Sequence, residues 1–170
     1  SLAGGMPYVQ ALSMDHMADV AARVVRDQGA RALQYGSGQG DIHLREQILD
    51  ITAEVGVRAH PDDIIVTTGS QMALDLVTRT FCDPGDVVLV ESPSYVGALG
   101  VFRSYECDIV HVAMDGDGLV PSALRETIES VRAQGKRIKL LYTVPSFHNP
   151  AGVTQPAERR REILEIAQSA

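Results

Sequence analysis

The chain has 170 residues, of which 45% are hydrophobic and 22% are charged, and this length fits one domain with a sizeable core. Its net charge of -7 argues against general binding to nucleic acids or anionic membranes, because both are polyanions. No apolar run is long enough to span a bilayer and residues 1–5 lack the pattern of a signal peptide, so we expect a cytoplasmic protein.

The first third of the chain predicts two helices. Residues 13–28 have a helical pattern, with Gly29 as the predicted C-cap. Residues 33–40 are too rich in glycine for a regular element. Asp41 is the predicted N-cap of a second helix, which runs to Glu54 with its apolar residues on one face.

From residue 64 onward, short apolar strands alternate with helices. The predicted strands cover residues 64–67, 87–90, 109–112 and 138–142, and the predicted helices cover residues 71–82, 95–104, 121–134 and 156–169. Nearly continuous apolar strands are typical of a sheet that is buried on both faces. The sequence therefore predicts an α/β fold, with a three-layer, mostly parallel sheet and flanking helices.

Three other features have a simple structural interpretation. Asp115–Gly118 is too short for a calcium loop and lacks the later glutamate, so we interpret it as a turn. Cys82 and Cys107 have no Cys-x-x-Cys spacing, and we interpret both as small hydrophobic residues rather than as a disulfide or metal site. The run Arg159–Arg161 is interpreted as a solvated helix face rather than as a phosphate site.

Polar and aromatic residues follow three of the predicted strands. Ser70, Tyr95 and Asn149 each lie just past a strand's carboxyl end, where ligands bind in open α/β sheets. The sequence therefore predicts a ligand site at this edge. Each residue also has a simpler interpretation when it is taken alone: an N-cap, a packing ring and a turn residue, respectively.

Five short segments in this order resemble the class I and II aminotransferases of fold-type I, which use pyridoxal 5'-phosphate. The segments are Ala3–Pro7, Leu33–Tyr35, Thr68–Gln71, Glu91–Tyr95 and Pro145–Gly152. They are most similar to the branch that holds aminoadipate- and kynurenine-type aminotransferases and the effector domains of MocR-type transcription regulators. The resemblance implies that residues 1–32 form an N-terminal arm and helix, and that residues 33–170 form part of the cofactor-binding large domain.

The resemblance also implies roles for individual residues in cofactor binding. Gly69, Ser70 and Gln71 would hold the phosphate at a helix N-terminus, where the helix dipole favours negative charge. Tyr95 would stack on the pyridine ring. Asn149 would donate a hydrogen bond to the phenolic oxygen of that ring.

Two further residues receive roles from the same resemblance. Tyr35 would reach the phosphate held by the neighbouring subunit of a homodimer, and Gly5 would lie near the substrate carboxylate. The alternatives are that Tyr35 anchors its own loop and that Gly5 belongs to a flexible terminus. Residues 146–148 receive no role.

The chain departs from the family where catalysis is concerned. The family's chemistry needs an aspartate, a tyrosine, a Schiff-base lysine and an arginine downstream of the Asn-Pro motif. No aspartate follows Asp117, and the only lysines, Lys136 and Lys139, precede Asn149. We therefore expect no catalytic residue in this chain and interpret it as an N-terminal fragment, inactive alone and less stable than its size suggests.

The resemblance implies an enzyme that transfers an amino group between an amino acid and a 2-oxo acid. The negative net charge predicts no nucleic-acid or membrane partner. Lyase or decarboxylase chemistry in the same pocket stays open. An alternative function is the effector-sensing domain of a MocR/GntR-type transcription regulator, which a DNA-binding domain would precede. A third is an α/β binding domain whose motifs have lost their chemistry.

Overall fold

The computed structural model describes residues 8–170, which fall into two compact units. We call residues 8–68 the N-terminal unit and residues 69–170 the sheet unit. Within the described residues, no helix combines the length and the apolarity needed to cross a membrane. The division at residue 32 that the resemblance implies stays a prediction.

The N-terminal unit contains two α-helices, α1 (Met14–Ala32) and α2 (Ile42–Ala53), and two short 3-10 helices, Val9–Ala11 and Pro61–Asp63. The predicted C-cap at Gly29 is wrong, because α1 continues to Ala32. One glycine inside a helix costs only about 1 kcal/mol, which the good helix formers around it offset. The start of α2 is as predicted, and the Asp41 side chain accepts hydrogen bonds from the backbone of His43 and Leu44.

The N-terminal unit has very little buried surface of its own. Arg45 is the one side chain that is buried among residues 8–68, and it donates to the Pro61 carbonyl at 2.8 Å. The predicted strand at residues 64–67 is wrong, because no strand of the described chain pairs with it. A strand needs a neighbour for its backbone groups, and Val66 N–H bonds instead to the Gln39 carbonyl at 2.9 Å.

The sheet unit contains a four-stranded sheet in the order β3-β2-β1-β4. The strands β1, β2 and β4 are parallel, and β3 is antiparallel to β2. Their bounds are β1 (Val87–Ser92), β2 (Asp108–Asp115), β3 (Gly118–Leu119) and β4 (Ile138–Tyr142), and the helices are α3 (Gly69–Phe81), α4 (Val96–Ser104), α5 (Pro121–Ala133) and α6 (Ala157–Ser169). These bounds agree with the predicted strands and helices to within a few residues. Only β3 has no counterpart in the sequence prediction.

Helices cover both faces of the sheet, as predicted. Successive residues of a strand point to opposite faces, and β1 divides its four buried apolar residues between two core clusters. Val87 and Leu89 pack with residues of α5 and α6, while Val88 and Val90 pack with residues of α4. The three-layer α/β architecture follows directly from this alternation.

Two smaller predictions concern the ends of β2. Asp115–Gly118 forms the predicted turn, in which Asp117 N–H donates to Asp115 Oδ1 at 2.8 Å, and this turn leads into β3. At the other end, Cys107 is buried and Cys82 is half-buried, both as free thiols in the core on the α4 side. Burial raises the pKa of the Cys107 thiol to about 11.

Candidate functional site

The candidate site begins with the N-terminus of α3. Gly69 starts this helix with φ +76, a conformation that favours glycine, and Ser70 and Gln71 follow in the first turn. The Gln71 side chain donates to the Gly97 carbonyl at 3.1 Å. This hydrogen bond ties the first turn of α3 to the first turn of α4.

Tyr95 lies past the carboxyl end of β1 and is the N-cap residue of α4. A Cβ placed on Gly97 would lie 2.5 Å from the phenol ring, so the ring lies directly over that glycine. Gly97 was not among the site residues predicted from the sequence. The signal was a glycine in the first turn of the helix that follows the aromatic residue, where a missing side chain leaves room for the ring.

A cavity of about 260 Å³ connects these elements. Ser70 and Tyr95 both line it, so the structure brings two of the predicted site residues together. Tyr142 closes the cavity at the end of β4, and its ring packs edge-on against Phe102 with centroids 5.6 Å apart. Burial raises the pKa of the Tyr142 hydroxyl, which therefore stays neutral at physiological pH.

Asn149 lies on the loop between β4 and α6. Its amide makes no hydrogen bond within residues 8–170, which leaves its donor and acceptor groups available to a ligand. The loop itself is bound to the end of β1 through Glu91, which is 0% exposed. One carboxylate oxygen of Glu91 accepts from Thr143 Oγ1 at 2.7 Å, and the other accepts from Val144 N–H at 2.8 Å.

Two more side chains complete this buried cluster. Gln155 Nε2 donates to Glu91 Oε1 at 3.0 Å. His148 Nε2 lies 3.1 Å from Glu91 Oε2, which is an ion-pair distance, although its alignment falls outside hydrogen-bond geometry. Neither Glu91 nor His148 was predicted from the sequence to have a role. The signal was an acidic residue that directly continues four buried apolar residues of a strand.

At the start of α6, Arg160 and Arg161 are exposed as predicted, whereas Arg159 is half-buried, so the interpretation as a solvated face is wrong for Arg159. Arg159 bonds to both carboxylate oxygens of Asp115 at 3.1 Å. Arg160 donates to the Pro145 carbonyl at 3.0 Å and so holds the start of the Asn149 loop. Each of the two arginines has protein acceptors within reach, which a sequence pattern does not reveal.

The remaining candidate residues are Tyr35, Gly5 and the two lysines. Tyr35 belongs to the N-terminal unit, where its side chain is fully exposed and its N–H donates to the Gln34 side chain at 2.8 Å. Gly5 lies outside the described residues. Lys136 pairs with Asp108 at 2.8 Å, at the amino-terminal end of the sheet, and Lys139 is an exposed residue of β4. Neither lysine lines the cavity beside Tyr95.

Comparison with known proteins identifies the family. The sequence model described as aminotransferase class I and II matches residues 4–170. The chain belongs to this family. Our inference from the five segments is therefore confirmed.

Two curated relatives from this family align with nearly the whole chain. Aromatic-amino-acid aminotransferase 1 of Thermococcus litoralis is 38% identical over 168 residues, which cover 98% of this chain and 40% of that protein. The 2-aminoadipate transaminase of Thermus thermophilus is 37% identical over 166 residues, which cover 98% of this chain and 39% of that protein. The chain thus spans about two fifths of the length of these relatives.

A regulator and a solved structure extend the comparison. The uncharacterized HTH-type transcriptional regulator YjiR of Escherichia coli is 32% identical over 168 residues, covering 98% of this chain and 35% of that protein. The kynurenine aminotransferase of Pyrococcus horikoshii, solved in complex with PMP, matches with a TM-score of 0.90 and 38% identity over 99% of this chain and 42% of that chain. The predicted branch and the fold-type I architecture are both confirmed.

Proposed function

We propose that the chain forms part of a pyridoxal-phosphate-dependent aminotransferase, which transfers an amino group between an amino acid and a 2-oxo acid. The observation that carries this proposal is the cavity that Ser70 and Tyr95 line together beside the N-terminus of α3. A helix N-terminus attracts an anion such as a phosphate, and an aromatic face suits a flat ring.

Two unpartnered polar groups support the fit of this cofactor. The Ser94 hydroxyl, next to Tyr95, is buried and has no hydrogen-bond partner among residues 8–170. The half-buried Asn149 amide has none either. Polar groups removed from water are ordinarily paired, so a polar ligand at this edge of the sheet would satisfy groups that the protein leaves open.

Each residue contributes to binding rather than to bond making. Gly69, Ser70 and Gln71 form the helix start that holds the phosphate, and Tyr95 excludes water from one face of the ring. Asn149 donates to the phenolic oxygen and so favours its ionised form. The bound cofactor supplies an electron sink for amino-group chemistry.

The proposal includes further properties that follow from the family. These are a homodimer in which Tyr35 reaches the phosphate of the other subunit, a position for Gly5 near the substrate carboxylate, a cytoplasmic location and a role in amino acid metabolism. It also includes an N-terminal arm over residues 1–32 and a large domain that begins at residue 33. The Schiff-base lysine is expected outside this chain, because Lys136 and Lys139 precede the Asn149 loop.

A titration of the chain with pyridoxal 5'-phosphate, followed by absorbance, tests the proposal. We expect Ser70→Ala and Tyr95→Ala each to weaken the affinity about tenfold, since each removes a contact worth roughly 1 to 2 kcal/mol. Ser130→Ala is the matched control, because Ser130 is an exposed serine in the helix α5. Unchanged affinity in both site variants would contradict the assignment.

Borohydride reduction of the same mixture, followed by peptide mass mapping, adds a second test. We expect no specific lysine adduct, because Lys136 is paired at the opposite end of the sheet. A stoichiometric adduct on Lys136 or Lys139 would show instead that the chain holds its own covalent cofactor.

The similarity to YjiR supports a second candidate function, the effector-sensing domain of a MocR/GntR-type regulator. The two functions differ in the activity of the full-length protein. An enzyme turns over an amino acid and a 2-oxo acid, whereas a regulator binds duplex DNA through a domain outside residues 1–170 and changes that binding with pyridoxal phosphate. Turnover and DNA-binding assays on the full-length protein distinguish them.

A further inference from the structure

Glu91 is an unusual residue for its position. It occupies the fifth position of β1, with Val87–Val90 before it, and its side chain is fully buried. Removing a carboxylate from water costs several kcal/mol unless paired groups compensate. The sequence therefore places a costly charge in a strand where an apolar residue would be stable.

The partners of Glu91 all belong to one segment. Thr143, Val144, His148 and Gln155 surround its two oxygens, and each presents an N–H or O–H group or a ring nitrogen. These residues lie 52 to 64 positions away along the chain. The carboxylate thus binds both ends of the loop between β4 and α6 to the end of β1.

His148 carries this restraint into the middle of the loop. Its Nδ1 accepts from Ala151 N–H at 3.1 Å, and its Nε2 lies 3.1 Å from Glu91 Oε2 without hydrogen-bond alignment. Its backbone N–H donates to the Val153 carbonyl at 2.8 Å. Ring and backbone are therefore fixed at the residue that directly precedes Asn149.

The loop adopts a conformation that needs such support. Phe147 has φ +50, which is uncommon for a bulky side chain and costs on the order of 1 to 3 kcal/mol. Its N–H donates to Thr154 Oγ1 at 3.0 Å, so the loop is also closed across its base. A strained loop keeps one shape only when its surroundings determine it.

We propose that Glu91 is a positioning residue, whose buried carboxylate fixes the loop so that the Asn149 amide is presented to the ligand in one orientation. This inference rests on the proposed function only in taking that ligand to be pyridoxal phosphate. Glu91 touches no ligand itself. It acts through His148 and the loop backbone.

The test is a double-mutant cycle between Glu91→Gln and Asn149→Ala, read by titration with pyridoxal 5'-phosphate. The substituted side chain would present an amide NH₂ to groups that are themselves donors, so the loop loses acceptors without losing volume. We expect Glu91→Gln to weaken the affinity about tenfold in the unchanged background and by less than about twofold when Asn149 is already alanine. Equal effects in the two backgrounds would overturn the proposal.

Amide hydrogen exchange gives a readout that needs no cofactor. We expect Glu91→Gln to speed exchange in residues 147–153 and to leave α3 unchanged. The matched control is Asp86→Asn, which removes a buried carboxylate at the other end of β1 and should leave both the loop and the affinity unchanged. Unchanged loop exchange in Glu91→Gln, or the same change in both variants, would overturn the positioning role.

A charge-relocating variant covers the case in which Glu91→Gln folds poorly. Glu91→Gln with Gln155→Glu keeps the net charge and the number of donors and acceptors in the cluster. We expect it to restore the affinity to within about threefold, and failure to restore it in a folded protein would count against the proposal. If the unchanged chain binds no pyridoxal phosphate, the proposed function fails, while hydrogen exchange still decides whether Glu91 fixes the loop.

Discussion

The strand β1 has a buried carboxylate at each end, and the two are held in different ways. At the amino-terminal end, Asp86 accepts from Arg137 Nε at 2.6 Å, and the Arg137 side chain is 58% exposed. At the carboxyl-terminal end, Glu91 and His148 are both sealed from solvent. A charge pair at the solvent edge contributes modestly to stability and responds to pH and salt, whereas a sealed cluster fixes the geometry of the loop around it.

The largest expected difference between the two ends is in stability. Glu91→Ala would leave the donors of Thr143, Val144 and Gln155 buried without an acceptor and would open a cavity. We expect a loss of about 3 to 5 kcal/mol in the free energy of unfolding. We expect Asp86→Ala to lower the free energy of unfolding by clearly less, because water can hydrogen-bond to the exposed Arg137 side chain in place of Asp86. Urea denaturation of both variants measures this, and equal losses would contradict the comparison.

Gly97 offers a test of whether the carboxyl-terminal end of β1 takes part in binding pyridoxal phosphate. Gly97→Ala places a methyl group 2.5 Å from the Tyr95 ring and must displace it. We expect the affinity for pyridoxal phosphate to fall about tenfold. The matched control is Gly100→Ala in the same helix, where nothing lies within 4 Å of the new methyl group. Gly100→Ala should bind normally and melt slightly higher, since alanine favours the helix.

The amino-terminal end should determine part of the acid sensitivity. Hydrogen bonding to Arg137 holds the pKa of Asp86 below its ordinary value. A depressed pKa in the folded state means that this stabilisation is present above the unfolded pKa of about 3.9 and is lost as the pH falls through the folded value. Asp86→Asn should flatten the fall in unfolding free energy below about pH 4. If the unfolding free energy of Asp86→Asn falls below pH 4 as steeply as that of the unchanged chain, this prediction is contradicted.

The smallest expected effect concerns the Cys107 thiol, whose pKa is influenced by Asp86 at the amino-terminal end of β1. Burial raises the pKa of Cys107 to about 11, and the Asp86 charge adds to that rise. A thiol with so high a pKa is scarcely ionised at pH 8, so iodoacetamide should label Cys107 far more slowly than a free thiol. Asp86→Asn should speed this labelling slightly. Mass spectrometry of tryptic peptides measures the rate, and rapid labelling of Cys107 in the folded chain would contradict its burial.

The strands of the sheet could be predicted from the sequence because each is marked by a short apolar run of its own. Val87–Val90 form a continuous apolar run, and such a run needs cover on both faces wherever its neighbours lie. The Asp41 cap was equally local, since its acceptor and the two backbone donors are within three residues. Predictions that depended on a distant partner fared worse. Residues 64–67 are β-branched, yet no strand of the described chain pairs with them.

In the candidate site, too, contacts between residues far apart in sequence could not be predicted. Tyr95 could be placed past the carboxyl end of β1 from strand order, whereas the strand expected before Ser70 is absent; the cavity nevertheless brings the two residues together. The Glu91 cluster could not be predicted, because Gln155 lies 64 residues from Glu91 and Thr143 lies 52 residues from it. Nothing in either local sequence indicates that these residues meet. Burial of a charge is decided by the fold, not by its neighbours in sequence.

The two-residue strand β3 covers only a small part of one edge of the sheet. Only Met114 and Asp115 of β2 pair with it, so on this side residues 108–112 of β2 face no strand among the described residues, and their backbone groups stay open to another strand. The strand β4 ends the sheet on the other side with five residues. Both sides of the sheet therefore offer backbone partners to a further strand, and only the short stretch beside the turn and the Arg159–Asp115 pair is already closed.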